Sequence, residues 1–296
     1  MALRNSDPLP RAIAWGAVIF SSALPTIIWR ESGHARSFWL ALIQCAVLII
    51  AAIGVLPFPR LRVLTRFLLA LAVLRLGWYV VAPWLEATGF VHSWLVSANW
   101  GARLLIDRTV ALAGAILMSL TLISSGITRG DLFLRRGDLA APAQPIPFLW
   151  PWKPIPWTIF GPVWLVVFGI ALPLFLYFTV HPAFSAGARI VHFAPWILGV
   201  AALNAANEEF QFRNVLLAHL RNIVTPGEAA LLTAVLFGLG HYYGQPSGPI
   251  GVVMAGFAGW IWAKSMIETR GSAWAFLIHM VQDIVIFSFL AAGAAK

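Results

Sequence analysis

Glu208 and Glu209 stand side by side in an otherwise apolar stretch, AANEEFQFRNVLLAHL. A carboxylate at bilayer depth costs about 3 kcal/mol or more, so such residues are kept for function or for pairing. Adjacent positions on an α-helix diverge by about 100°, so the two glutamates face different directions and are expected to have different jobs. Glu209 precedes Arg213 at the i,i+4 spacing with the acid first, a pair able to neutralise itself along one face. Glu208 shares its face with Asn204, one turn back, and has to find partners on other helices. The plainer reading makes both acids ion-pairing residues at the cytoplasmic end of a span.

Two later stretches carry matching chemistry. Phe237-Gly238-Leu239-Gly240-His241 closes an apolar run, with Phe237 and His241 on one face and two glycines that permit close approach of another helix or a substrate backbone. His279 and Asp283 stand at i,i+4 inside FLIHMVQDIVIF, again where polar groups need partners. A single intramembrane histidine is usually a satisfied packing residue. Glu208, His241, His279 and Asp283 on three separate helices are each costly if buried alone, and the cheapest arrangement brings them together. A carboxylate beside an imidazole can deprotonate water, and a second imidazole can donate to a developing oxyanion, which is a set suited to peptide hydrolysis. No serine or threonine stands out as an activated nucleophile. Two histidines and one or two carboxylates could also hold Zn²⁺. The H-E-x-x-H helix of the familiar zinc proteases is missing, so no cofactor is expected and zinc is the less favoured reading.

In their order on consecutive hydrophobic segments, Glu208-Glu209-x-x-x-Arg213, Phe237-x-x-x-His241 and His279-x-x-x-Asp283 resemble the three motifs of the CPBP family, which includes the CAAX prenyl proteases and the bacteriocin-processing and immunity proteins. The resemblance spans about residues 191–290, and the N-terminal half gives no comparable match. It implies a glutamic intramembrane endopeptidase in which Glu208 and His241 activate water and His279 contributes to the oxyanion site. Glu209 and Arg213 would support them. Asp283 stands where the family usually has Asn, so its role is either that of a protonated donor or that of a group orienting His279.

The elements that position these residues are set by composition. The chain has 296 residues, 60% hydrophobic and only 10% charged, with a mean hydropathy of +0.83. Soluble chains are about half apolar and a quarter charged, so this composition reads as an all-α, polytopic bundle of membrane helices. Apolar runs cover residues 12–29, 38–58, 67–83, 110–127, 157–180, 191–217, 229–243, 250–267 and 273–292. They predict about eight to nine spans. The first run, behind Arg4 and Arg11, resembles a signal peptide with a Ser21-Ser22-Ala23 cleavage cluster, but its apolar character continues to Trp29 and favours a retained span. Residues 94–106 are short and amphipathic, suited to an interfacial helix or to part of a longer span.

The net charge of +9 is carried in short blocks between apolar runs, which argues for topology and anionic-lipid contact and against nucleic acid. With nine spans, one side collects about thirteen cations, Arg4 and Arg11 among them, against about six on the other. That places the N-terminus in the cytoplasm of a multi-pass protein, most simply one of a bacterial inner membrane. Arg75, inside the third run, either snorkels or pairs. Cys45 is the sole cysteine, so no intramolecular disulfide exists. Residues 129–156 form the longest polar connection, in which prolines forbid continuous helix and Trp150, Trp152 and Trp157 suit the membrane interface. It separates N-terminal helices at 1–128 from a C-terminal catalytic region at 157–296. The expected partners are the bilayer and a membrane-protein or lipidated-peptide substrate. A non-proteolytic scaffold or immunity protein and a proton-coupled transporter are the readings that compete with a protease.

Overall fold

The computed structural model describes residues 7–293 except 36, 124, 148 and 183–185. Arg4, counted among the cations above, lies outside the described residues. Among the described residues the chain is all-α apart from one pair of two-residue strands, as its composition leads one to expect. Among the described residues five helices are long and apolar enough to cross a bilayer, or six if one bent pair counts as a span. Two shorter apolar helices, α3 (Phe38–Gly54) and α11 (Pro226–Gly240), complete the set. At 1.5 Å per residue α11 is about 22 Å long, less than the roughly 30 Å hydrocarbon core. The apolar runs expected to supply eight to nine spans are helices, and by length and apolarity five or six of those described qualify as full spans, with the shorter apolar helices beside them. The chain is a multi-pass integral membrane protein.

The first run shows why a count of apolar residues overshoots. It forms α1 (Pro8–Ser21) and α2 (Leu24–Glu31), inclined at 43°. Ser22, between them, is extended, and Pro25 stands in the first turn of α2, where its missing N–H costs nothing but where α1 could not have continued through it. The Ser21-Ser22-Ala23 cluster marks this bend. Asp7 caps α1, accepting from the Leu9 N–H and from both Nε and Nη2 of Arg60. The Arg60 hydrogen bonds, with that from Leu9, hold the Asp7 carboxyl below its ordinary range.

The chain divides into two compact units. One comprises residues up to Leu85, Ala111–Leu132 and Phe210–Lys264. In it α3 packs on α4 (Thr65–Leu76), and α1 packs on both α4 and α11. Glu228, in the first turn of α11, accepts from Arg11 Nε at 2.6 Å and Trp15 Nε1 at 2.7 Å, tying α1 to α11. Arg75 neither snorkels nor ion-pairs with an acid. It is 3% exposed, donates from Nε and Nη2 to Gln44 Oε1 and from Nη2 to Thr26 Oγ1, and lies 3.7 Å over the Tyr79 ring. A π-helical turn, Gly77–Val81, then leads into α5 (Ala82–Ala87).

The second unit comprises Glu86–Val110, Phe133–Glu209 and the chain from Ser265 onward. It holds α6 (Gly89–Ser97), the first half of α7 (Trp100–Leu120), α8 (Trp157–Val180), α9 (Ala186–Glu209) and α13 (Ala273–Gly293). The amphipathic segment at 94–106 is split at Ala98-Asn99: its first residues end α6 and its last begin α7. Helix α13 packs along both α9 and α8. Ile197, Val200, Ala201, Phe287 and Ala291 form a buried core between α9 and α13. The polar connection folds onto this unit: its strands, β1 (Pro142–Ala143) and β2 (Ile155–Pro156), pair antiparallel just before α8. Trp157, whose type suits a membrane interface, packs inside the protein. It is fully buried and donates from Nε1 to Glu268 Oε2 at 2.8 Å. Trp152, by contrast, is exposed.

Candidate active site

The α9–α13 packing that buries Ile197, Val200 and Phe287 also sets the phase of the polar residues further along both helices. Asn204 and Glu208 on α9 repeat every four residues, as do His279 and Asp283 on α13, so each pair makes a polar patch on its helix. His279 Nδ1 lies 2.7 Å from Glu209 Oε1. On the other edge of the ring, Nε2 is 3.5 Å from Glu208 Oε2 and 3.6 Å from Asp283 Oδ2. Asn204 Nδ2 donates to Asp283 Oδ2 at 2.9 Å. Three carboxylates thus surround one imidazole. A carboxylate can only accept, so Nδ1 of His279 carries the proton shared with Glu209.

The two glutamates differ as the adjacency argument requires. Glu209 is 2% exposed and committed to His279 Nδ1, whereas Glu208 is 8% exposed and makes only the longer approach to Nε2. Helix phase linked Glu209 with Arg213, and that inference presumed continuous α geometry. The helix changes to a π turn at Phe210–Val215, immediately after Glu209, so an α-helical i,i+4 spacing does not describe the step to Arg213. A π turn at a functional segment has no strong sequence signal, and the His279 partner could not be read from local spacing.

In the other unit, Arg213 is fully buried and its guanidinium stands 4.1 Å from the Phe237 ring and 4.6 Å from the Trp262 ring. Gly259 on α12 (Gly248–Thr269) makes room for it, since a Cβ there would come within 2.5 Å of Arg213 Nη2. Trp262 and Gly259 were not singled out from sequence, where a tryptophan and a glycine in an apolar run look like ordinary packing. Phe237 also packs edge-on against Phe212 and Trp262, and its ring lies 4.3 Å from that of His241. His241 stands just past the end of α11, half-buried, with Nδ1 2.9 Å from the Phe237 carbonyl. A carbonyl cannot donate, so Nδ1 is the N–H of that ring and, in the neutral form, Nε2 keeps its lone pair. Of the two glycines before it, Gly238 is the one that allows close approach. A Cβ on Gly238 would lie 2.6 Å from the Val252 carbonyl oxygen of α12, while one on Gly240 would meet nothing within 4 Å.

The carboxylates approach His279 at both ring nitrogens, whereas a metal ion needs its donors to converge on one point. Among the described residues no group of three or more His, Cys, Asp or Glu side chains is arranged to hold a metal ion.

Apolar helices that carry a buried carboxylate–histidine cluster at their packing seam define an integral membrane protein with a polar site inside its bundle. Residues 190–285, which include every one of these acids and histidines, match the model of the type II CAAX prenyl endopeptidase Rce1-like family. The match covers about a third of the chain and supports the expected kinship of this region with the CPBP family, that of the CAAX proteases. No curated protein matches the chain, and no solved structure does.

Proposed function

We propose that the protein is an intramembrane endopeptidase of the glutamic type, hydrolysing a peptide bond of a membrane-associated or lipidated protein. The observation that carries this reading is the convergence of Glu208, Glu209 and Asp283 on His279 within the region matched by the Rce1-like family. Glu208, the acid not bound to Nδ1, takes the proton of the attacking water. His241, whose Nδ1–H is fixed on the Phe237 carbonyl, presents Nε2 as the second water-activating group, as the family motifs imply. Glu209 holds His279 by Nδ1, and an imidazolium so held can direct its Nε2–H at the oxyanion formed by attack on the scissile carbonyl. The proton on Glu208 then passes to the leaving amine. Asp283, anchored by Asn204, steadies the Nε2 edge of His279, and Arg213 with Phe237 forms the supporting packing next to His241.

The protein works in a multi-pass setting, with the N-terminus proposed to be cytoplasmic and the membrane to be a bacterial inner membrane. Comparing the membrane proteome of cells that carry the wild-type chain with those carrying Glu208→Ala tests this function. A cleavage product present with the first and lost with the second is expected. Identical proteomes at equal expression would overturn the reading in favour of a non-proteolytic protein.

A further inference from the structure

In the unit that contains His241 two π-helical turns meet, Gly77–Val81 and Phe210–Val215. Trp78 of the first turn donates from Nε1 to Gln211 Oε1 of the second at 3.0 Å, and its ring lies 6.1 Å from that of Phe212. We propose that Trp78 is a positioning residue of the reaction proposed above, holding the His241 imidazole through Gln211, Phe212 and Phe237. The inference rests on the reading of His241 as a water-activating group.

Gln211 is fully buried, and a buried amide has to be given both a place and hydrogen-bond partners. Gly114, in the second half of α7, supplies the place: a Cβ there would come within 2.5 Å of Gln211 Oε1. Gly77 lets the turn that carries Trp78 close on Gly114, since a Cβ on Gly77 would lie 2.6 Å from Gly114 Cα. Trp78 then donates to the oxygen for which Gly114 makes room. Gly77, Trp78 and Gly114, all from the N-terminal helices, thus serve one side chain of the later π turn. Helices pack without such turns, which are frequent at functional sites.

From Gln211 the contact passes to His241 through two rings. Phe212, next in the turn, meets Phe237 edge-on at 5.3 Å. Phe237 is 2% exposed, its ring lies 4.3 Å from that of His241, and its carbonyl accepts from Nδ1. The carbonyl fixes one atom of the imidazole, while the Phe237 ring fixes its plane and so the direction in which Nε2 points. Trp262 and Arg213 bear on other sides of Phe237, so Phe212 is the contact through which Trp78 acts on it. Protein interiors are close-packed, and a gap where Trp78 stood is filled in part by movement of Phe212 and then of Phe237. A reacting group displaced by about 1 Å loses about a hundredfold in rate.

The test reads His241 itself as well as the reaction. NMR of full-length protein isotopically labelled at its histidine rings gives the ring-nitrogen signals, with that of His241 identified by its loss in His241→Gln. Cleavage of a lipidated fluorogenic peptide in nanodiscs gives kcat and KM separately. Trp78→Ala is expected to shift or broaden the His241 signal and to lower kcat by roughly a hundredfold, with KM within about threefold of wild type. Trp78→Phe keeps a ring but loses the N–H, and Gln211→Leu keeps the bulk but loses the acceptor; each is expected to lower kcat by about tenfold, and the double variant by no more than either alone, because both remove one hydrogen bond. Should Trp78→Ala not fold, these conservative variants decide. An unchanged His241 signal with unchanged kcat in folded Trp78→Phe and Gln211→Leu would overturn the proposal, and so would independent, multiplying losses in the double variant. A wild-type chain that cleaves no faster than His241→Gln would overturn the proposed reaction itself, while the ring signal shows separately whether Trp78 holds the imidazole.

Discussion

Replacing Glu209 by Gln isolates the electrostatic part of the His279 arrangement. Gln keeps an oxygen able to accept from Nδ1–H, so the 2.7 Å contact and the packing of two groups each 2% exposed are preserved. What disappears is the negative charge beside the ring. With charge centres about 4 Å apart and an effective dielectric of 20, that charge stabilises an imidazolium by about 4 kcal/mol. If the imidazolium donates to the oxyanion only in the transition state, the loss falls on kcat and amounts to roughly a thousandfold. Glu209→Ala, in contrast, leaves the buried Nδ1–H without its acceptor and is expected to cost about 1–3 kcal/mol of stability as well. The assay is cleavage of a lipidated fluorogenic peptide by purified protein in nanodiscs, with kcat and KM separated and Tm recorded for each variant. A Glu209→Gln protein with wild-type Tm and kcat within about threefold of wild type would refute the assignment of charge stabilisation to Glu209. A fall in KM-limited binding alone would refute it equally.

Three further outcomes are expected. Gly238→Ala places a Cβ 2.6 Å from the Val252 carbonyl oxygen, so α11 and α12 must separate, at a cost of about 1–3 kcal/mol seen as a lower Tm; an unchanged Tm would show that the close approach is dispensable. Asp7 has its pKa depressed by Arg60 and by the Leu9 N–H, so its contribution is present above the ordinary carboxylate pKa of about 3.9 and is lost as pH falls through the lower folded value. Hydrogen exchange at the start of α1 should therefore quicken in wild type only below that range, and Asp7→Ala, which removes the acceptor, should exchange faster than wild type at pH 6; no difference between the two at pH 6 would contradict the cap. Exhaustive chelation should leave cleavage unchanged, because carboxylates flank both ring nitrogens of His279 and do not converge on one point; loss of activity restored by added Zn²⁺ would reverse that reading.

Much of this was legible in the sequence. The apolar runs became helices because nothing in them but proline opposes continuation, and of the four polar residues expected to converge, Glu208, His279 and Asp283 do meet, with Asn204 beside them, while His241 lies in the other unit. What failed depended on partners far away in sequence or on helix geometry. The 43° bend between α1 and α2 turned one expected span into a broken pair. Arg75 found Gln44, Thr26 and Tyr79, neutral groups that no charge-pairing rule points to. Trp157 was drawn inward by Glu268, more than a hundred residues later. The step from Glu209 to Arg213 crosses the π turn at Phe210–Val215, and His279, on another helix, gives Glu209 a 2.7 Å partner that no local spacing points to.

The central claim is that Glu208 activates the water that cleaves the peptide. It is tested most directly by single-turnover cleavage with purified Glu208→Gln, which keeps the side chain's size and its hydrogen-bonding capacity but cannot take up the water's proton. With wild-type Tm and undiminished substrate binding, the rate of bond cleavage should fall by at least about a hundredfold, the lower end of what a positioned general base contributes. Cleavage by folded Glu208→Gln at a rate near that of wild type would contradict the glutamic mechanism.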